Sequence, residues 1–539
     1  AWTRALCIVL LCGLAAPWPV VADSGADAAT QQAVAGLLRQ ALAADAVDPA
    51  MLRPAPDALP QAVAAFYAGR DWQPVWDEAR LQQLQAALAG LYTDGLDPED
   101  YGLGRLEELP APGADPGRLA AREQLATRAY LLALLHLYHG KVDPQQLYPH
   151  WNFAARTVEP RLGLARARDA VTAGAIAGVF NRARPQAAQY NALRATLARL
   201  RGLALDGGWP LLPPGPALKP GMQDPRVAVL RARLQRAGMA SHVPPGPEDR
   251  FDDELARALL RFQREAMLEP DGVLGPATRA ALNIPLRQRI DQVRANLERM
   301  RWLQGEGDAE HVLVDIAGYR IRHVRAGRTE WEARVQVGRA YRATPEFRSA
   351  INQVTVNPSW VVPPTILRED MLPAIRRDRG YLARHHLRVL DAAGRELVPA
   401  QVNWAVPGAI TLRQDPGPHS ALGELVVRFP NPFSVYLHDT PHKALFDSGQ
   451  RSTSSGCIRV ERIHELVERL FADPVQWNRD ALAAVIAEGR TRNITLPRPV
   501  PLLLSYVTVE VGSDGYVALR EDVYGRDAAL VAALDRRQP

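Results

Sequence analysis

Through residues 31–207 apolar side chains return every three or four positions, the spacing that gathers them on one face of a helix. Residues 80–92 carry Leu81, Leu84, Leu88 and Leu91 in this register, and 122–138 hold the run Tyr130-Leu131-Leu132-Ala133-Leu134-Leu135. Asp94-Gly95, Asp97-Pro98 and Asp143-Pro144 punctuate the pattern as turns. It predicts a helical domain over 23–209 whose aromatic residues Phe66, Tyr67, Trp72, Trp76, Tyr148 and Trp151 fill a core rather than form a cofactor platform. Residues 210–221, PLLPPGPALKPG, cannot continue a helix and read as a linker.

A smaller unit follows at 222–285. Val227, Leu230, Leu234 and then Leu255, Leu259, Phe262 mark two amphipathic helices, and Pro276 is placed to start a third at its first position. A long connecting helix is expected over 286–306. Beyond it the period drops to two: 311–316, 319–324, 333–337 and 354–356 read as strands, and the pattern resumes at 425–429 and 434–437. A polar, Arg-rich, partly helical stretch at 363–418 interrupts this β domain (307–498), and an insertion of that size is expected to be functional, such as a lid. A helix at 462–471 and late strands at 502–511 and 515–519, within a C-terminal stretch 499–539, complete the pattern. The fold class is a multidomain α+β protein.

Length agrees: at roughly 100–200 residues per domain, 539 residues make several folding units. Hydrophobic residues are 47% and charged residues 23%, a globular composition. The net charge of +5 is almost entirely Arg, since Lys141, Lys219 and Lys443 are the only lysines. The arginines are dispersed rather than gathered into a basic stripe, which argues against a nucleic-acid partner.

Cysteine usage is more informative. Cys7 and Cys12 lie in a segment with the layout of a cleaved secretory signal over 1–22: Arg4, an apolar run over 5–17, and small residues ending at Val21-Ala22. Cleavage leaves Cys457 alone, with no disulfide available to it. It stands in Ser454-Ser455-Gly456-Cys457-Ile458-Arg459-Val460, downstream of Tyr436-Leu437-His438-Asp439-Thr440-Pro441. A thiol is mostly protonated at neutral pH and needs a base, which His438 can supply. The other ring nitrogen of His438 needs an acceptor, and the Asp439 backbone carbonyl is a candidate. The amides of Gly456 and Cys457 are candidates to face a developing oxyanion. His438, Asp439 and His442 form no helical metal-ligand face, because Pro441 and the preceding strand prevent it. Ser454 and Ser455 lack the G-x-S-x-G elbow of a serine hydrolase.

These motifs carry a resemblance. The unit at 222–285 resembles the three-helix peptidoglycan-binding domain of bacterial wall enzymes, through L-R-x-x-L at 230–234 and D-G-x-x-G-x-x-T at 271–278. The later segment resembles the YkuD-type L,D-transpeptidases, whose motif of a His, a spacer and [ST]-H-G-C-x-R maps onto His438, Ser454, Gly456, Cys457 and Arg459. The whole layout is similar to the large periplasmic, YcbB-like murein members of that family, with helical scaffold, wall-binding module, and a mostly β catalytic domain with inserted lid. Ser455 departs from the pattern, standing where many members carry a second His. The resemblance implies a periplasmic enzyme that acylates Cys457 with a tetrapeptide stem, releases D-Ala and forms 3→3 cross-links. L,D-carboxypeptidase activity, and a non-catalytic wall-binding scaffold, are the alternatives. It implies no cofactor and no metal, and it implies stem peptides and glycan as partners, carbapenem sensitivity, and other wall-synthesis enzymes as further candidate partners. Tyr436, two residues from His438, is expected to point into the same cleft or into the core. Trp360 and Ser455 are further substrate-side candidates. Arg459 is a candidate for a substrate carboxylate or for a structural salt bridge.

Overall fold

The computed structural model describes residues 24–108, 115–240, 247–303, 309–512 and 514–537; the expected signal segment, with Cys7 and Cys12, lies outside them. The chain divides into two compact units, one of residues through Ala86 with Tyr101–Ala133 and Val158–Val179, the other of Ala87–Asp100, Leu134–Thr157 and Phe180–Pro539. The helical stretch expected as one domain over 23–209 is therefore shared between them. In the first unit Phe66, Tyr67 and Trp76 are buried. The buried Glu123 carboxylate accepts from the Val75 and Trp76 amides at 2.9 and 2.8 Å, and the Trp76 indole donates to Thr127 Oγ1 at 2.8 Å. These bonds fix Trp76 in the core, since an unpaired buried carboxylate is costly.

In the second unit the three short helices are Pro225–Arg236, Asp253–Glu265 and Pro276–Leu282. Asp224 and Asp252 cap the first two by accepting from the Arg226 and Leu255 amides, both at 2.8 Å. Val227, Leu230, Leu234, Leu255, Leu259 and Phe262 close one core with Leu274 and Leu282. The D-G-x-x-G-x-x-T segment is knitted by the buried Gln263. Its Oε1 accepts from the Gly272 amide at 2.8 Å, and its Nε2 donates to Asp271 at 2.8 Å and Thr278 at 3.1 Å. Met267, just beyond the second helix, belongs to the core of the β domain instead.

That domain is built on β1 (Glu310–Asp315), β2 (Arg320–Arg325), β3 (Arg328–Gly338) and β4 (Phe347–Val356). It continues after the insertion with β9 (Leu425–Arg428), β10 (Leu437–His438), β11 (Ser452–Ser454), β12 (Ile458–Val460) and β13 (Arg492–Ser505). The order is β11-β3-β12-β10-β9-β4-β13-β1-β2, and because β2 also pairs with β3 the nine-stranded sheet closes on itself through that long strand. Fully buried Val312, Val314, Ile321, Val335, Val354, Leu437, Ile458 and Leu502 form the core with the helix Ile463–Phe471.

The insertion is more structured than its polar composition suggests. Strands β5 (Trp360–Val361), β6 (Leu387–Leu390), β7 (Glu396–Leu397) and β8 (Thr411–Gln414) form a separate sheet, order β5-β8-β6-β7. Val362, Ile375, Val389, Trp404 and Leu412 give it a core of its own.

Three expectations differ from the structure. The boundary at 498/499 falls inside β13, which pairs with both β1 and β4 and is integral to the nine-stranded sheet. The strand expected over 434–437 shrinks to two residues, because the Asn431 carboxamide turns the chain, accepting from the Phe433 and Val435 amides at 3.1 Å with Ser434 at φ +56°. The late run 502–511 breaks after Ser505 into β14 (Val509–Val511), which forms a hairpin with β15 (Val517–Leu519). Among the described residues no helix is long and apolar enough to cross a membrane.

Candidate active site

The parallel pairing of β10 with β12 sets Leu437 opposite Ile458 and His438 opposite Arg459. Leu437 and Ile458 are fully buried in the core. Extending that register by one residue sets Tyr436 beside Cys457, a two-by-two patch in which Cys457 and His438 are diagonal neighbours, with Cys457 also packed against the core. Tyr436 is not among the residues of that core cluster, and its ring meets His438.

His438 is 4% exposed. Its Nδ1 lies 2.5 Å from the Asp439 backbone oxygen, so Nδ1–H donates there and Nε2 is the unprotonated nitrogen. Burial, then the neighbouring Arg459 guanidinium, lowers the imidazole pKa to about 3, so the ring is neutral at neutral pH. The Tyr436 ring stands edge-on to it at 5.6 Å. Burial also pushes the Cys457 thiol upward; opposing this are the Tyr436 amide and hydroxyl, which reach the sulfur, and the Arg459 and Arg428 guanidinia. The resting pair is therefore thiol and imidazole, with general-base deprotonation during attack as the chemistry it can do. The Asp439 carboxylate holds the neighbouring chain instead, accepting from the Glu424 amide at 3.0 Å and pairing with Lys443.

The turn before Cys457 is set by Ser454, whose hydroxyl donates to the Cys457 carbonyl at 2.6 Å and accepts from the Gly456 amide at 3.1 Å. This corrects one expectation: the Gly456 amide is committed to Ser454. The Cys457 amide has no acceptor among the described residues and is the donor left for an oxyanion. Gly456 sits at φ +112°, a conformation side chains rarely adopt, and its carbonyl accepts from Thr344 Oγ1 at 2.9 Å.

Arg459 donates to Gln336 Oε1 at 3.2 Å, its Nε is buried without a partner, and no carboxylate pairs with it among the described residues. The structural salt bridge is absent there, leaving a guanidinium beside the thiol. Ser455 lies outside the patch, exposed, with its hydroxyl accepting from Arg342 at 3.1 Å. Arg342 also pairs with Glu369, at 2.8 Å, and Asp370 of the insertion. Trp360 packs against the insertion's own core rather than joining the Cys457 patch. Sequence reasoning missed Arg428, Arg342 and Thr344. The last two lie more than a hundred residues before the turn they contact, with no local pattern to mark them.

Comparison with known proteins places a domain of one class here: residues 309–476 match the model of the L,D-transpeptidase catalytic domain, YkuD. Residues 223–282 match a peptidoglycan binding domain and 61–197 a scaffold domain. A Haemophilus influenzae protein named "Putative L,D-transpeptidase" is 33% identical over 222 residues, covering 41% of this chain and 45% of that relative, so the match spans less than half of the relative's length. Solved structures that are similar include an L,D-transpeptidase from Xylanimonas cellulosilytica, with 15% identity, coverage of 54% of this chain and 100% of that one, and TM-score 0.17. Another, from Stackebrandtia nassauensis, has 12% identity, coverage of 55% and 96%, and TM-score 0.21. The chain thus combines a helical N-terminal region, a peptidoglycan-binding domain and a β-rich L,D-transpeptidase domain.

Proposed function

We propose that the protein is a murein L,D-transpeptidase that forms 3→3 cross-links through a Cys457 acyl-enzyme. The observation that carries this reading is the patch itself: a thiol diagonal to a neutral imidazole whose Nδ1–H is tied to the Asp439 carbonyl, inside the matched domain. His438 Nε2 takes the thiol proton as Sγ attacks the carbonyl of the L,D bond at the third residue of a tetrapeptide stem. The oxyanion faces the Cys457 amide, a donor worth about 3–4 kcal/mol in acyl transfer. Collapse breaks the C–N bond, His438 returns the proton to the departing D-Ala amine, and a thioester remains. A neighbouring stem's amine, deprotonated by His438, then attacks the thioester and expels the thiolate, which recovers the proton. Arg459 receives a stem carboxylate, and the peptidoglycan-binding domain holds the wall. Acylation of Cys457 by carbapenems and placement outside the cytoplasm, in the periplasm, follow from the same reading.

The test is incubation of the protein with disaccharide-tetrapeptide and mass spectrometry of the products. A cross-linked dimer short of one D-Ala supports the proposal. Tripeptide monomer alone makes the enzyme an L,D-carboxypeptidase with water as acceptor, and no turnover makes it a binding scaffold. Full turnover by a Cys457→Ala variant sinks the mechanism.

A further inference from the structure

The matched catalytic domain ends at residue 476, yet the turn carrying Cys457 is held from residue 524. The Tyr524 hydroxyl donates to the Gly338 carbonyl at 2.7 Å and accepts from the Thr344 amide at 3.1 Å. Thr344 Oγ1 accepts from the Gly338 amide and donates to the Gly456 carbonyl, both at 2.9 Å. One phenol thus ties the end of β3, the loop behind it and the residue before the nucleophile. Little slack exists, because a Cβ at Gly338 would fall on the Arg342 carbonyl.

Tyr524 is itself immobilised. Its ring stacks on Tyr506 at 5.3 Å and 14°, and its amide donates to the Tyr506 hydroxyl at 3.0 Å. The Tyr506 hydroxyl donates to Asp522 at 2.6 Å. Arg526 lies 5.0 Å from both rings and pairs with Glu346, whose carboxylate also accepts from the Tyr506 amide at 2.9 Å. The braced loop therefore shares one partly buried polar network with the C-terminal segment, the kind of contiguous packing through which displacement at one end is felt at the other.

We infer that Tyr524 is a positioning residue for the reaction, holding the Cys457 amide and thiol in register through Thr344 and Gly456. Turnover assays of this inference rest on the proposed function; thiol chemistry does not. The Tyr524→Phe variant keeps the ring on Tyr506 and loses only the hydroxyl. With tetrapeptide, kcat is expected to fall about tenfold with KM within about twofold, since small misplacements of reacting groups act on the chemical step. Alkylation of Cys457 by iodoacetamide, followed from neutral to alkaline pH, is expected to slow and to shift its midpoint upward as the sulfur loses Tyr436 and Arg459. Thr344→Val removes the next link, so the double variant should be no worse than Thr344→Val alone.

An unchanged kcat and alkylation profile overturns the inference. So do additive losses in the double variant, or a kcat loss matched by an equal loss of folded protein. If the unaltered protein fails to turn over tetrapeptide, the proposed function fails, while the alkylation profile and double variant still decide the role of Tyr524.

Discussion

His438 and Arg459 stand directly opposite each other across the parallel β10–β12 pair, and the guanidinium meets no carboxylate among the described residues. The cation therefore opposes protonation of the imidazole, and on the proposed function it also keeps donors for a stem carboxylate.

Replacing Arg459 with Met separates those two effects. The His438 pKa should rise from about 3 toward the ordinary value, although burial, the larger cause, stays in place. The acid limb of kcat/KM should move to higher pH. The KM for a stem bearing its carboxylate should rise by roughly one to two orders of magnitude, the scale of a charged hydrogen bond of about 1.5–3 kcal/mol. Steady-state kinetics across pH, with a carboxylate and an amidated stem compared, checks both; equal KM changes for the two stems would remove Arg459 from substrate binding.

Stability should depend on pH through the same imidazole. The unfolded chain takes up a proton on His438 near pH 6.5, the folded chain only near 3. Between those values the unfolded state binds more protons, so this contribution to stability is complete above about 6.5 and declines as the pH falls toward 3. Chemical denaturation of wild type and His438→Gln at several pH values measures it; the variant should lose that part of the slope.

Ser454→Ala should disable the turn without touching the Cys457 thiol. The part-buried Cys457 carbonyl and the buried Gly456 amide both lose their partner. An unsatisfied buried group costs about 1–3 kcal/mol, and the released amide no longer holds the loop. Lower kcat at near-constant KM, with reduced midpoint in urea, is the expected pair of results.

Arg342→Ala should loosen the insertion. Its links to Glu369 and Asp370 involve carboxylates that are 47% and 41% exposed, so each is weak and weakens further in salt. Hydrogen exchange over 364–377 should accelerate in the variant, and in wild type at high salt, while the β9–β10 region keeps its protection.

The thiol–imidazole pair was legible because its signals are local. A lone thiol in a small-residue turn and a His ending an apolar strand announce themselves, and even the Asp439 carbonyl beside His438 follows from adjacency. The three helices at 225–282 were legible for the same reason, through capping Asp residues and 3.6-residue spacing. What escaped was set by contacts distant along the chain. Gly456 could not be separated from Cys457 as an oxyanion donor without the Ser454 hydroxyl's orientation. Trp360 could not be assigned to the insertion's core before β5 was seen to pair with β8. The β13 strand was cut at 498 because Pro497, Pro499 and Pro501 disguise its middle, where the register with β4 shifts between Thr495 and Val500.

Met267 carries a wider consequence. It lies in the three-helix module yet fills the catalytic core, while the adjacent Leu268 backbone presses so closely on Gly449 that a Cβ there would sit 2.6 Å from it. Arg261 reinforces this seam through Asp514 and the Tyr516 ring, 4.1 Å away. On the proposed function, the grip on the wall is therefore no tether that lets the thiol sample a volume; it is a ruler. A strand seated on the module is presented to Cys457 at one fixed reach, so the spacing of the cross-links would be written into the enzyme's own geometry.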